Sequence, residues 1–299
     1  LHSKILTKNI LEGGMTLTRE KSQQEEQTQL SLALPATKKP ITITQSFIVG
    51  AIAGKTEVLC NHWMWTTKTR SQSGLPFTFH PSVLLKGIGG NLASMGPISA
   101  IQVGTNRAIQ GTFFEEGKEL SLFQKMGAAF TAGATSALVS CPTERIMTHQ
   151  GKKRLSFLAA AKYLVEQGGV SHGLYAGFPV TTVREGVFAL CYLVLAPTFK
   201  PYWQTYLPNE NASKLAAGIS AGVIGTLCSQ TADIVKTQQQ YPDPLEQVTA
   251  RDALRKLYQS YGVGGFLKGG LLSRGARICV AVPVMDGMNQ WLESKFRKF

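Results

Sequence analysis

Three stretches of the chain carry charged side chains at matching slots of one skeleton: Gly54…Trp63-x-Trp65-x-x-Lys68, Gly133…Pro142-x-Glu144-x-x-Met147 and Gly222…Thr231-x-Asp233-x-x-Lys236. An acid slot and a basic slot three residues apart share one face of a helix, so such pairs can reach charges on neighbouring helices and break again. A second small residue lies four positions before each glycine, at Gly50, Ala129 and Gly218. The first stretch adds Lys55, Glu57, Asn61 and His62. At about 100° per residue, Glu57 and Asn61 fall on one flank of the charged stripe and Lys55 and His62 on the other. Charges set this deep in a spanning helix mark a solute path by default.

Enzymatic alternatives lack their residues. There is no G-x-S-x-G and no H-E-x-x-H, and no second His or Cys stands at ligand spacing from His62, so neither a catalytic group nor a metal ligand is assigned. Gly50-Ala-Ile-Ala-Gly54-Lys55-Thr56 has three residues between its glycines where a phosphate loop needs four. The same glycine spacing recurs at Gly218 and Gly222 without Lys-Thr, which assigns it to close helix packing.

The elements that must carry these residues are long and poor in charge. Segments 88–106, 126–143 and 215–232 hold no charged residue and are of about bilayer-spanning length. Mean hydropathy near zero fits helices that are apolar toward lipid and polar toward a central cavity. Each repeat reads as a long helix (44–72, 121–150 and 212–240), a loop with a short surface piece, and a second helix. The second helices follow Lys86-Gly87, Ala176-Gly177 and Lys268-Gly269 and run to about residues 111, 203 and 298. Segments 251–261 and 155–167 have the amphipathic period of helices lying on a membrane surface, whereas 73–85 is too short and proline-marked for one. The predicted organisation is a polar, disordered arm over 1–43 followed by repeats 44–117, 118–208 and 209–299.

Lysine and arginine number 31 against 18 acids, a net charge of +13. The bases are spread over helix ends and loops without zinc-finger spacing or an RRM signature, which points to anionic lipid and not to nucleic acid. Cys60, Cys141, Cys191, Cys228 and Cys279 fall within predicted helices with no CxxC pair and read as small buried apolar residues. The arm contains Glu12, Glu20, Glu25 and Glu26 and no apolar core, unlike a cleavable targeting peptide.

The threefold skeleton, with its turn before each second helix, resembles the mitochondrial carrier family over roughly residues 44–298. That resemblance implies an all-α membrane protein: six transmembrane helices in three pseudosymmetric repeats around a central cavity, alternating access, and the mitochondrial inner membrane as location. It implies a monomer with a small-molecule substrate, membrane lipid as a partner, and no cofactor beyond bound anionic lipid such as cardiolipin. The divergent gates and polar arm also resemble carriers that intracellular bacteria deliver into host cells.

In the family the acid of each odd helix pairs with the base of the next and closes the matrix side. By that register Glu144 meets Lys236 and Asp233 meets Lys68. The third bridge would join positions 65 and 147, here Trp65 and Met147. Both of its partners are lost together, which avoids an orphaned ion in a closing seam, and an apolar Trp–Met latch takes its place. Proline is replaced at Trp63 and Thr231, so the first and third odd helices lack the usual bend. On the cytosolic side the slots read Asn106-Arg107…Gln110, Ala196-Pro197…Lys200 and Met288-Asn289…Leu292, with no acid to complete a bridge. The expected resting state is therefore open to the cytosol.

Family substrate contacts map onto Ser94-Met95, Arg184-Glu185 and Ala276-Arg277. Arg184 followed by Glu185 resembles carriers of amino-acid-type substrates, because a guanidinium forks onto a carboxylate and the adjacent acid suits an ammonium. The expected substrate site is Ser94, Arg184, Glu185 and Arg277 with Lys55, Glu57 and Asn61 from the first helix. A nucleotide is the alternative substrate, met by Lys55, Arg184, Arg277 and Lys68; a non-transporting anchor or regulator of the same fold is the alternative class.

The latch generates a test. Trp65→Asp alone should impair uptake into proteoliposomes, and Trp65→Asp with Met147→Lys should recover much of it, the non-additivity of residues that meet. Additive losses remove the latch.

Overall fold

In the computed structural model the description covers residues 41–72, 76, 78–85, 87–113, 120–244, 246, 248–262, 264 and 271–297, without the side chains of 68–72, 261 and 273. The expected arm lies almost wholly outside the described residues. Among those described, the chain is helical throughout and forms no strand. Six long helices are present: α1 (Ile43–Gln72), α3 (Ile88–Phe113), α4 (Leu122–Lys153), α6 (Phe178–Gln204), α7 (Glu210–Gln240) and α9 (Leu271–Phe296). Short helices occupy the connections: α2 (Pro81–Leu84), α5 (Phe157–Gly168), which continues into a π turn over Gly169–Leu174, and α8 (Ala250–Tyr261).

Local chemistry explains the boundaries. Ser121 accepts from the Gln124 amide while the Gln124 side chain returns to the Ser121 amide, a capping box that starts α4. Arg154 in the left-handed region (φ 55°) stops it. Asn209 caps α7, Ser156 caps α5 and Thr249 caps α8. The turns that launch α3 and α6 need glycine, since Gly87 and Gly177 have φ of 83° and 75°. Although Trp63 and Thr231 replace prolines, α1 and α7 run unbroken past those positions, as expected where no proline ring clashes with the preceding turn.

The long helices pack in chain order, α1 on α3, α3 on α4, α4 on α6, α6 on α7 and α7 on α9, and α9 returns to α1. Six helices thus close a ring. By length and composition α6 and α7 are apolar enough to cross a membrane on their own account. Outward apolar side chains such as Leu59, Leu138, Leu215 and Leu227, each more than half exposed, supply the lipid-facing surface.

The small residues of the repeat set how closely each pair approaches. A Cβ on Gly54 would meet the side chain of Ser99 in α3, and one on Gly222 would lie 3.1 Å from the Cα of Cys279 in α9. A Cβ on Gly133 would strike the carbonyl of Glu185 and come within 2.7 Å of the Cα of Gly186. Backbone-to-backbone contact of this kind is what small-xxx-small spacing permits between membrane helices. In the second repeat it places Glu185 against α4.

At one end of the ring the loop after α7 is fastened to α4. The carboxylate of Asp243 lies 3.4 Å from Lys153 Nζ and 3.7 Å from Lys152 Nζ. Partial burial pushes this carboxyl up, but the two lysines outweigh it and hold it below its ordinary range. The expected amphipathic segments form α5, with Ala160 and Leu164 buried, and α8, with Ala253 and Leu257 buried.

The close approach at Gly133 has a control on the same helix, because nothing lies within 4 Å of a Cβ on Gly127. Gly133→Ala should lower thermal stability by about 1–3 kcal/mol through overpacking, whereas Gly127→Ala should raise it by about 0.4–1 kcal/mol. Equal effects in a melting assay would remove the assigned role of Gly133.

Candidate functional site

Charges collect where α4, α6, α7 and α9 meet. Arg184, on the inner face of α6, is the hub: its Nη2 lies 2.7 Å from Glu144 Oε1 of α4 and also pairs with Glu185, and its Nη1 lies 3.6 Å from Asp233 Oδ1 of α7. Glu144 is paired through its other oxygen with Lys236 of α7. Asp233 Oδ2 lies 3.5 Å from Arg274 Nε of α9. Arg274 donates to Gln230 Oε1 at 3.1 Å and to Ser229 Oγ at 2.8 Å. The sequence from Lys236 through Glu144, Arg184 and Asp233 to Arg274 alternates in sign throughout, so no member is left as an isolated buried ion.

A second, neutral shell fixes Glu185. Its Oε2 accepts from Gln102 Nε2 at 3.0 Å, and the same amide donates to Ser136 Oγ at 3.0 Å. The Gln102 carbonyl accepts from the Tyr192 hydroxyl at 2.9 Å. Tyr192 lies in a π turn, Cys191–Leu195, inside α6; the extra residue rotates the helix face there and aims the phenol at α3. Gln102, Ser136, Glu185 and Tyr192 are all buried.

A third group joins α1 to α9. Asn61 donates to Glu57 Oε1 at 2.9 Å and to the backbone carbonyl of Arg277 at 3.0 Å, and Arg277 Nη2 lies 3.9 Å from Glu57 Oε1. His62 and Asn91 bring their side chains within 3.1 Å of each other, and Ser94 donates to the Asn91 carbonyl at 3.0 Å.

Of the seven expected substrate residues, Arg184 and Glu185 are therefore central and in contact, and Arg277, Glu57 and Asn61 form one adjoining group. Ser94 is buried and turned onto its own helix. Lys55 stands apart from these groups: it is exposed on the stripe shared by Ile48, Ile52, Leu59 and Trp63, and its methylenes lie across Gly96 of α3. Position 55 is about 150° round the helix from the buried Gly50–Glu57 side, which separates it from the charged hub. Among the gate residues, Glu144 and Lys236 are paired across α4 and α7 as the register requires. The Lys68 side chain lies outside the described residues. Trp65 stacks on His62 at 5.5 Å between ring centroids, and Met147 is half-buried on α4.

The cytosolic-side expectation is corrected. Lys200, expected to have no acid partner, lies 3.1 Å from Glu210 at the start of α7, with Lys214 on the same carboxylate at 3.0 Å. The register misses Glu210 because it stands on the odd helix and not in the even-helix slots. Asp286, buried in α9, is held by the Gln290 amide through both oxygens at 2.8 and 2.9 Å.

Sequence reasoning missed Gln102, Tyr192 and Arg274. A signal existed for two of them: Gln102 is an amide within a charge-free span, and Arg274 stands one turn before Arg277. Nothing in the sequence pattern announces the π turn that directs Tyr192.

The sequence pattern of the family described as mitochondrial carrier protein matches residues 118–207 and 208–294. The chain is 26% identical to mitochondrial glycine transporter B of Danio rerio, over 81% of this chain and 89% of that protein. It is 26% identical to the mitochondrial carnitine carrier of Saccharomyces cerevisiae, over 75% and 80%. With mitochondrial citrate transporter B of Aspergillus niger it shares 28% identity, over 84% and 94%. Matched over most of its length and built as a closed ring of long helices around paired charges, the chain belongs to the mitochondrial carrier family: it is a multi-pass transporter of small metabolites in the mitochondrial inner membrane, and not an enzyme.

Proposed function

We propose that the protein carries a small amino-acid-like metabolite by alternating access, with Arg184 holding the substrate carboxylate and Glu185 its ammonium. The supporting observation is the charge balance of the core. Among the described side chains there, Arg184, Lys236, Arg274 and Arg277 stand against Glu57, Glu144, Glu185 and Asp233. A zwitterion enters such a site without changing its net charge, whereas a nucleotide brings several negative charges that need surplus cations, and burying unmatched charge is costly. Glycine and carnitine, named for two relatives, each combine a carboxylate with a cationic nitrogen; citrate, named for a third, shares the carboxylate. A guanidinium recognises that common group in a bidentate fork.

The same proposal includes a cytosol-open resting state, supported by the engaged Glu144–Lys236 pair, which the family register puts on the matrix side. It includes a Trp65–Met147 latch in the same seam, repeats at 44–117, 118–208 and 209–299, a monomer, and bound anionic lipid such as cardiolipin drawn by the net charge of +13.

Uptake by purified protein in proteoliposomes tests the reading and separates a carrier from a non-transporting relative. Truncation of Arg184 would leave Glu144, Glu185 and Asp233 short of a partner, so Arg184→Lys is the cleaner change: it keeps the charge and loses the fork. Uptake of the preferred amino-acid-type substrate should fall about tenfold, since hydrogen bonds to a charged group contribute about 1.5–3 kcal/mol, while the melting temperature stays close to that of the parent. Glu185→Gln keeps the shape and can still meet Gln102. It should abolish discrimination for an ammonium over its neutral analogue; undiminished zwitterion uptake together with improved nucleotide uptake would overturn the assignment.

A further inference from the structure

Gln102 stands in the charge-free part of α3, and its side chain bonds only to other helices. Its carbonyl oxygen accepts from the Tyr192 hydroxyl of α6 at 2.9 Å. Its amide nitrogen has two hydrogens and meets two acceptors, Ser136 Oγ of α4 and Glu185 Oε2 of α6, each at 3.0 Å. The Ser136 hydroxyl gives its own hydrogen to the Gly133 carbonyl at 2.7 Å, so toward Gln102 it can only accept. All four side chains are buried. One orientation of the Gln102 amide satisfies them. The flipped one would set its oxygen against the Glu185 carboxylate and turn its NH2 group onto the phenol donor, and a buried polar group left without a partner is costly.

The consequence falls on Glu185. Its Oε1 pairs with Arg184 and its Oε2 is held by Gln102 from α3, so the carboxylate cannot swing away from the neighbouring guanidinium without breaking the Gln102 bond. From these contacts we infer that Gln102 is a positioning residue of the substrate site: by pinning Glu185 beside Arg184 it fixes the spacing of the two charged groups. It thereby selects α-amino acids, whose ammonium and carboxylate are attached to the same carbon, over isomers that carry the nitrogen further along the chain. The inference rests on the assignment of the substrate carboxylate to Arg184 and of its ammonium to Glu185. With the carboxylate in the guanidinium fork, Glu185 Oε1 becomes the acceptor for the nitrogen and stays next to the fork. A nitrogen placed further out meets Oε1 only if the ligand folds back on itself or Glu185 shifts, and the shift forfeits a hydrogen bond to a charged group, about tenfold in affinity. Tyr192 belongs to the same device. It stands in the π turn Cys191–Leu195, and its hydroxyl decides which end of the Gln102 amide faces Glu185.

The 2-, 3- and 4-aminobutyrates are isomers that differ only in where the nitrogen is attached, so their uptake into proteoliposomes isolates spacing from size and apolarity. The parent should take up 2-aminobutyrate with a kcat/KM about tenfold above that of 4-aminobutyrate. Tyr192→Phe removes one oxygen atom and leaves the ring; Gln102→Met keeps the length and loses the amide. Each should narrow that ratio about three- to tenfold, chiefly through KM, at a melting temperature close to the parent's. In Glu185→Gln the ratio should already be narrowed, and adding Tyr192→Phe should narrow it no further, because both act through one carboxylate. Further narrowing in that double variant places the action of Tyr192 elsewhere and overturns the inference. A spacing preference that survives Tyr192→Phe and Gln102→Met, or one absent from the parent, overturns it as well while leaving the Arg184 and Glu185 assignment in place. Parallel losses for all three isomers with a lowered melting temperature show a purely structural network and have the same effect. Uptake of none of the isomers by the parent overturns the amino-acid reading and the inference together. If Gln102→Met fails to fold, Tyr192→Phe carries the same comparison.

Discussion

The site depends on keeping each ion of its charged hub in contact with one of opposite sign. An unpaired charge in the middle of a helix ring costs several kcal/mol, while a paired and hydrogen-bonded one roughly breaks even. That asymmetry explains why Lys236, Glu144, Arg184, Asp233 and Arg274 run in alternating sign across four helices. Under the pairing that the family pattern implies, it also accounts for positions 65 and 147 both being apolar. A carrier must nonetheless separate these charges during each cycle. Members that can exchange partners, such as an arginine shared by three carboxylates, keep the cost of separation low.

Close packing sets the distances on which this pairing relies. Gly133 lets α4 approach the backbone of α6 at Glu185 and Gly186, and this brings Glu144 within reach of Arg184, one residue earlier on α6. A single added methyl would push the two helices apart by a few tenths of an ångström or more, a change to which a 2.7 Å charge-assisted bond is sensitive. The π turn at Cys191–Leu195 makes a second adjustment on the same helix, since it directs Tyr192 to Gln102 and through it steadies Glu185. Helix geometry and site electrostatics are thus one problem in the second repeat.

The fold was legible in the sequence because its signal is repeated. Small residues at Gly50 and Gly54, Ala129 and Gly133, Gly218 and Gly222, followed at fixed spacing by the charged slots, place the odd helices to within a few residues of their observed ends. The pair Glu144–Lys236 followed from that register together with the pairing rule that the family resemblance implies. What sequence spacing could not supply was partnership outside the register. Lys200 finds Glu210 across a turn, Asp233 finds Arg274 on the second helix of its own repeat, and Lys55 lies on the exposed side of a helix whose polar residues are otherwise turned inward. Each depends on how two helices are rotated against each other, which no single helix encodes.

Arg184 also bears on why the described side chains of the site are balanced and not simply cationic. A surplus of positive charge would bind an anion tightly but would leave repelling cations in the closed seam whenever the substrate departed. The described core holds four acids and four bases in mutual contact, so on the proposed reading a substrate competes against internal carboxylates instead of filling a vacant cationic hole. On that reading the competition lowers affinity, and only binding that differs between the two states shifts their balance. On the proposed reading, a zwitterion displaces both kinds of internal partner at once, its carboxylate from the Arg184 side and its ammonium from the Glu185 side, without leaving either ion exposed to the apolar ring.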